Sequence, residues 1–309
     1  MKPPSGTPTA APTSSGPAPT STSSNPLPPT GTGCAAHPSS CGYPDASNTG
    51  PRAGVALRAV PGQVSQGTGW HWDTRGWLEV DGNGAVLDGL TIPNNLNISA
   101  SNVTVRNVRV IESGEGFGIS LRHAQNVTIE DSEIFSPAGS TRLMVGIKDI
   151  YGDSYGTQIL RTDIHNTSTG IQIDQGLIQD SYIHDMGYVA GDHINGITSN
   201  SGTTQLTIRH NTVFNQFDQT DAISLFEDFG IQANRLIDRN LVAGGGYTIY
   251  GGTGTKGATN NIKITNNRVA RTLYPRGGYY GYLASFDPNG TGNLWSGNIW
   301  DEDGRALTG

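Results

Sequence analysis

Leu87-Asp-Gly-Leu-Thr-Ile92, Val105-Arg-Asn-Val-Arg-Val110, Ile129-Glu-Asp-Ser-Glu-Ile134 and Ile159-Leu-Arg-Thr-Asp-Ile164 are successive copies of one phrase. An apolar residue is followed by mostly polar residues and closes on Ile or Val. The phrase returns as Ile178-Gln-Asp-Ser-Tyr-Ile183, Ile208-Arg-His-Asn-Thr-Val213, Ile237-Asp-Arg-Asn-Leu-Val242, Ile264-Thr-Asn-Asn-Arg-Val269 and, degenerately, Trp295-Ser-Gly-Asn-Ile-Trp300. The copies lie roughly 18 to 31 residues apart, a spacing that signals a solenoid. Each is β-branched, rich in Asn and Asp, and lacks a 3.6-residue apolar stripe, so each reads as a short strand.

A second strand recurs between the phrases, as in Gly118-Ile-Ser-Leu121, Gly170-Ile-Gln-Ile173 and Ala222-Ile-Ser-Leu225. Its inward column is Ile119, Ile147, Ile171, Ile197, Ile223 and Ile249. Such residues stack one coil apart at strand spacing, about 4.8 Å, and no coil buries its apolar face alone. The units are too short for propeller blades, and the Leu-x-x-Leu-x-Leu frame of leucine-rich repeats is missing. The fold expected is all-β, a right-handed parallel β-helix of about nine coils over residues 54–309. The 43 glycines fit its tight bends, and the 34% hydrophobic content fits a thin core.

Residues 1–33 are almost all Pro, Ser, Thr, Gly and Ala. That composition predicts a disordered linker, because it cannot bury enough apolar surface to offset ordering entropy. Such tracts join modules of secreted enzymes, so the chain is expected to be part of a larger modular protein whose signal peptide and further module lie upstream. Residues 34–53 form a lead-in holding both cysteines, Cys34 and Cys41, expected as one local disulfide in a secreted protein. No apolar run is long enough for a membrane helix. The net charge of −7 and the lack of a basic stripe argue against nucleic acid. Trp70, His71, Trp72 and Trp77 read as an aromatic cap on the first coil, with a sugar platform as the alternative.

The chain resembles the pectin-lyase-like superfamily, and more closely the secreted actinobacterial right-handed parallel β-helix repeat proteins. Carrying the resemblance are Cys41-Gly-Tyr-Pro-Asp-Ala-Ser-Asn-Thr-Gly50, Gly84-Ala-Val-Leu-Asp-Gly89, Gly191-Asp-His-Ile-Asn-Gly-Ile197, Gly244-Gly-Gly-Tyr-Thr-Ile-Tyr250 and Asn293-Leu-Trp-Ser-Gly-Asn-Ile-Trp-Asp301. The resemblance covers the chain from about Cys34 onward. It implies the fold and a groove along one face of the coils. Better-studied relatives of the superfamily are polysaccharide lyases, glycoside hydrolases and uronate epimerases.

Aligning coils on the stacked Ile sets other residues in register. One residue after it stand Ser120, Lys148, Gln172, Thr198, Ser224 and Tyr250; two before it stand Phe117, Val145, Thr169, Asn195, Asp221 and Tyr247. Charged, amide and tyrosine residues thus gather on one strip. Asp192 and His193 lead the catalytic candidates, since a carboxylate beside a His orients it and raises its pKa. Asp221 with Asp192 or Asp174 offers the paired carboxylates of a glycosidase. Lys148, the lone Lys between Lys2 and Lys256, suits the base of a β-elimination, with Arg122 or Arg276 clamping a uronate carboxylate. Asp174, Asn195, Glu227, Tyr247, Tyr250 and Arg276 are the substrate-binding candidates. The acidic residues Asp174, Asp192, Asp221, Glu227 and Asp228 are also oxygen ligands of the kind Ca²⁺ prefers. The bland alternatives are turn capping for Asp192, turn chemistry for Asp221, an Asn ladder for Asn195 and solvation for Lys148. The function expected is a monomeric, secreted enzyme acting on a polysaccharide, as lyase or glycoside hydrolase. The alternative is a non-catalytic glycan-binding or cell-surface module.

Overall fold

A computed structural model describes residues 33–309. The linker expected over 1–33 therefore lies, apart from Gly33, outside the described residues. The rest is a parallel β-solenoid of two long sheets, one of 17 strands and one of 11. All nine phrases fall in the 17-stranded sheet. Most are broken into two strand segments, such as Thr128–Glu130 with Glu133–Phe135, where single strands were expected. In the broken copies the break falls at the third residue of the phrase, which is left-handed in all nine, although Val86–Pro93 and Thr104–Ile111 run through it unbroken. Its φ is 51° at Asn107, 48° at Asp131, 54° at His210 and 57° at Asn266. Asn, Asp, His and Gly tolerate that region best, which explains their frequency there. Arg161 and Arg239 accept it as well, with φ of 49° and 55°.

The fourth residue of the phrase turns inward and changes character along the solenoid. It is Leu90 and Val108, then Ser132, Thr162 and Ser181, then Asn211, Asn240, Asn267 and Asn298, all buried. The asparagines form a ladder. Asn240 Oδ1 accepts from the Asn211 backbone N–H at 2.9 Å and from its Nδ2 at 3.0 Å, while Asn240 Nδ2 donates to Ile208 O at 2.9 Å. Asn211, Asn240 and Asn267 each donate two amide hydrogen bonds and accept at least one, in keeping with the pairing of buried polar groups.

The 11-stranded sheet holds the Ile column in the expected register, with Ile147 opposite Ile119 and Ile171, Ile197 opposite Ile171 and Ile223, and Ile223 opposite Ile249. All six are fully buried, each worth roughly 1.5–3 kcal/mol of transfer free energy. Ahead of them runs a column of small residues, Gly118, Gly146, Gly170, Gly196 and Ala222. A Cβ on Gly146 would lie 2.6 Å from Gly170 O and 2.9 Å from Ile164 Cγ2, so the glycine is demanded by close approach.

The first coil is closed by a hairpin. Gln66–Gly67, Trp70–Asp73 and Trp77–Val80 pair antiparallel, and Trp77–Val80 starts the parallel run. Trp70 is buried and Trp72 packs on the core, so these two form the aromatic cap. Trp77 does not belong to it; its ring lies under the Arg75 guanidinium.

Residues 34–53 form a strap along the solenoid. The Cys34–Cys41 disulfide is present. Ala35 N donates to Asp301 Oδ2 at 2.8 Å near the last coil. Gly50 N then donates to Arg161 O at 3.0 Å, and Arg52 N to Asn107 Oδ1. The lead-in thus crosses the coils against chain order before Arg58–Ala59 joins Val86–Pro93. Among the described residues no helix is long and apolar enough to cross a membrane.

Candidate functional site

The outward strip of the 11-stranded sheet matches the expected register. Lys148 lies opposite Ser120 and Gln172, Thr198 opposite Gln172 and Ser224, and Ser224 opposite Tyr250. Asn195 lies between Thr169 and Asp221. A cleft of about 350 Å³ opens over these rungs. Thr169, Asn195 and Thr220 form one wall, and Gln172 and Thr198 the floor. His193, Asn200, Phe226 and Asp228 reach in from the loops.

Asp221 sits behind the wall with no exposed surface. Neither carboxyl oxygen has a hydrogen-bond partner, nor does the Oδ1 of Asn195 on the neighbouring rung. Among the described residues Ser224 is the one side chain near enough to favour the charged form, but its hydroxyl donates to Thr198 Oγ1 at 2.9 Å, so burial dominates. Burial therefore pushes the Asp221 carboxyl well above the ordinary carboxylate range, because a charge without water or donors is costly. Thr220, next to it, holds φ of 52°. A β-branched residue there is strained, as backbones near functional sites often are.

Asp192 and His193 do not pair. Arg142 Nε donates to Asp192 Oδ2 at 2.7 Å, and Ser168 Oγ and the Val189 N–H donate to the same oxygen. Arg142 has only 2% of its side chain exposed and also meets Glu115. Although burial opposes it, these donors hold the Asp192 carboxyl below its usual range. Asp192 thus fastens the loop that presents His193, and His193 stands exposed in the cleft alone.

Asp174 is also spoken for. Its Oδ1 accepts from Ser199 Oγ at 2.9 Å and from the N–H groups of Asn200 and Ser201. It ties the bend of one coil to the next. Neither Asp192 nor Asp174 is a free partner for Asp221; Asp228 is the carboxylate that lines the cleft. Sequence spacing placed it beside the strip, but nothing marked it above its neighbours.

Glu227 is buried, with Oε2 accepting from the Lys256 N–H at 2.8 Å and Oε1 unpartnered. Lys148 Nζ donates to Gln172 Oε1 at 2.6 Å and lies 5.5 Å from the Phe117 ring; burial lowers its pKa. Tyr250 meets Phe226 and Tyr247 at ring distances of 5.2 and 5.6 Å, and Tyr247 meets Tyr280 at 5.7 Å. Burial first, then Asp221, raises the Tyr250 pKa. Arg276 is exposed on the aromatic loop, outside the residues lining the cleft.

Among the described residues no three His, Cys, Asp or Glu side chains converge as a metal set. The five acids proposed for Ca²⁺ do not fit it, because Asp192 serves Arg142, Asp174 serves backbone amides and Asp221 is withdrawn from water. The chain matches no known protein family, no curated protein and no solved structure.

Proposed function

We propose that this protein is a secreted polysaccharide-acting enzyme of the pectin-lyase-like type that cleaves glycosidic bonds by hydrolysis. The observation that carries the reading is Asp221, a buried, donor-free carboxyl behind the wall of a polar cleft. Strongly perturbed acids beside clefts are candidates for catalysis. An acid whose pKa is raised by burial holds a proton that it can give to the leaving glycosidic oxygen. Asp228, in the cleft and exposed, is assigned to the second carboxylate of such a pair. His193, Asn195 and Asn200 supply hydrogen bonds to sugar hydroxyls, and Phe226 with Tyr250 offers ring faces for stacking. Gly245 packs directly on the Asp221 backbone.

Hydrolysis is preferred to β-elimination because the perturbed group nearest the cleft is an acid. Lys148 donates to Gln172 and stands outside the lining. The disulfide and the Pro/Ser/Thr tract support secretion. A digest of neutral and acidic polysaccharides tests the reading. New reducing ends without ultraviolet absorbance of an unsaturated product support it, and absorbance instead of simple hydrolysis refutes it.

A second reading, a non-catalytic glycan-binding module, is favoured by the linked Tyr247, Tyr250, Tyr279 and Tyr280 rings. Glycan binding without turnover across the panel, lost on Tyr250→Ala, would select it.

A further inference from the structure

We infer that residues 34–53 act as a latch. By holding the last coils at one end and the early coils at the other, the strap makes the solenoid open as one unit instead of fraying from its C-terminal end. Each coil of a solenoid contacts only its neighbours, so terminal coils are the least stable part of such a fold. Here the first coil is closed by the antiparallel hairpin of Gln66–Gly67, Trp70–Asp73 and Trp77–Val80. The 11-stranded sheet ends differently at the other side. Its last strand, Gly281–Ala284, pairs with Tyr247–Gly251 and, among the described residues, with no strand beyond.

The strap meets the coils in reverse order. Ala35 belongs to a small apolar cluster with Leu241, Ala243 and Ala270, and its N–H donates to Asp301 Oδ2 at 2.8 Å. Asp301 is enclosed, and its other carboxyl oxygen accepts from Arg268 Nε at 2.7 Å. The start of the strap is thus fixed to three consecutive coils. Tyr43 then stacks on His210, with ring centroids 5.2 Å apart. Gly50 N donates to Arg161 O at 3.0 Å. Arg52 Nη2 pairs with Asp131 Oδ2 at 2.5 Å, while Arg161 Nε holds Asp131 Oδ1 at 2.7 Å. The Arg52 N–H reaches one coil further, to Asn107 Oδ1 at 3.2 Å.

Between its anchors the strap is internally bonded. The Cys34–Cys41 disulfide closes a ring around Ala35. Asp45 accepts from the Ser39 N–H at 2.9 Å and the Ser47 N–H at 2.8 Å, and Asn48 Nδ2 donates to Tyr43 O at 3.1 Å. A slack tether would let the two ends bind separately. A structured one raises the effective concentration of each anchor for the other. Opening the last coil therefore breaks strap contacts in addition to those with its one neighbouring coil. Chain order adds a consequence: the strap precedes every coil, yet its first anchor comes from the last, so the latch closes only on a finished solenoid. None of this depends on the chemistry assigned to the cleft.

Hydrogen exchange of the full chain, read by mass spectrometry, tests the latch. Gly281–Ala284 is the reporter, because it lies on the sheet that the strap anchors leave untouched. Ala35→Glu sets a carboxylate against Asp301 and the apolar cluster while changing no coil residue. Exchange at Gly281–Ala284 and Ile299–Trp300 should rise roughly tenfold or more, with Leu96–Ile98 unchanged. A second protein carries a protease site inserted between Ser47 and Asn48, both exposed. Uncut it should exchange like the wild type, and cut it should show the same acceleration, which separates a broken connection from a damaged anchor. In denaturant the wild type should lose protection at both ends together, and Ala35→Glu at the last coil first. Unchanged exchange at Gly281–Ala284 in both folded proteins, acceleration confined to residues beneath the strap, or a wild type whose last coil opens ahead of the first overturns the proposal.

Discussion

Asp221 stands one rung beyond Asn195 in the same ladder, and neither the Asp221 carboxyl nor Asn195 Oδ1 receives a hydrogen bond. A buried carboxylate without a donor is costly in its charged form. Because burial raises its folded pKa, the fold retains a proton that the unfolded chain releases. Stability is then present at low pH and declines as pH rises from the ordinary value of 3.8 toward the raised one. Asp221→Asn removes that decline. The variant should be more stable than the wild type at neutral and alkaline pH, by about 1–3 kcal/mol, yet lose roughly 10²–10⁴-fold in hydrolysis. Denaturant melts across pH, set beside turnover, check it; a variant that is destabilised and active defeats the assignment.

Arg142 and Asp192 predict a different pattern. Both are largely buried and joined by two hydrogen bonds. Removing one partner strands the other's charge, so Arg142→Ala should destabilise by roughly 3–5 kcal/mol. Asp192→Asn keeps acceptor and shape, and well below its melting point should retain most of kcat while raising KM through a looser His193 loop. A collapse of kcat in the folded Asp192→Asn protein would return Asp192 to the catalytic group.

The Asn ladder gives a test of the core. Asn240→Ala removes the acceptor for both Asn211 donors and the donor for Ile208 O. It should lower stability by roughly 2–4 kcal/mol, measured by chemical unfolding, with no effect on glycan binding measured below the transition.

On the other sheet, His184 lies between Asp163 and Asp185, with both ring nitrogens at 2.9 Å. Burial disfavours its charge, but the two carboxylates outweigh burial and lift its pKa from 6.5 to about 9. The neighbouring His165 ring, 5.2 Å away, bonds Glu133. The His184 contribution is fully present below pH 6.5 and is lost as pH rises through about 9. It amounts to roughly 3 kcal/mol. His184→Gln should flatten that part of the stability profile; an unchanged slope contradicts the pairing.

The sequence by itself determined the solenoid, the Ile column and the register of the outward strip. The reason is periodicity: each coil repeats the same inward positions, so Ile147 can only stack on Ile119 and Ile171, and Lys148 follows on the opposite face. It also marked Asp221 and Asn195 as neighbours and Cys34–Cys41 as a local bridge. Only the tertiary structure decided which acids are spent on structure. Arg142 lies about fifty residues before Asp192 in sequence, so nothing near Asp192 announces its partner; Asp174 is likewise claimed by amides of the next coil. The lead-in lies along the coils because Asp301 and Asn107 accept its N–H groups, a pairing no periodicity encodes. The raised pKa of Asp221 is tertiary in origin too, since it follows from burial by residues of neighbouring coils.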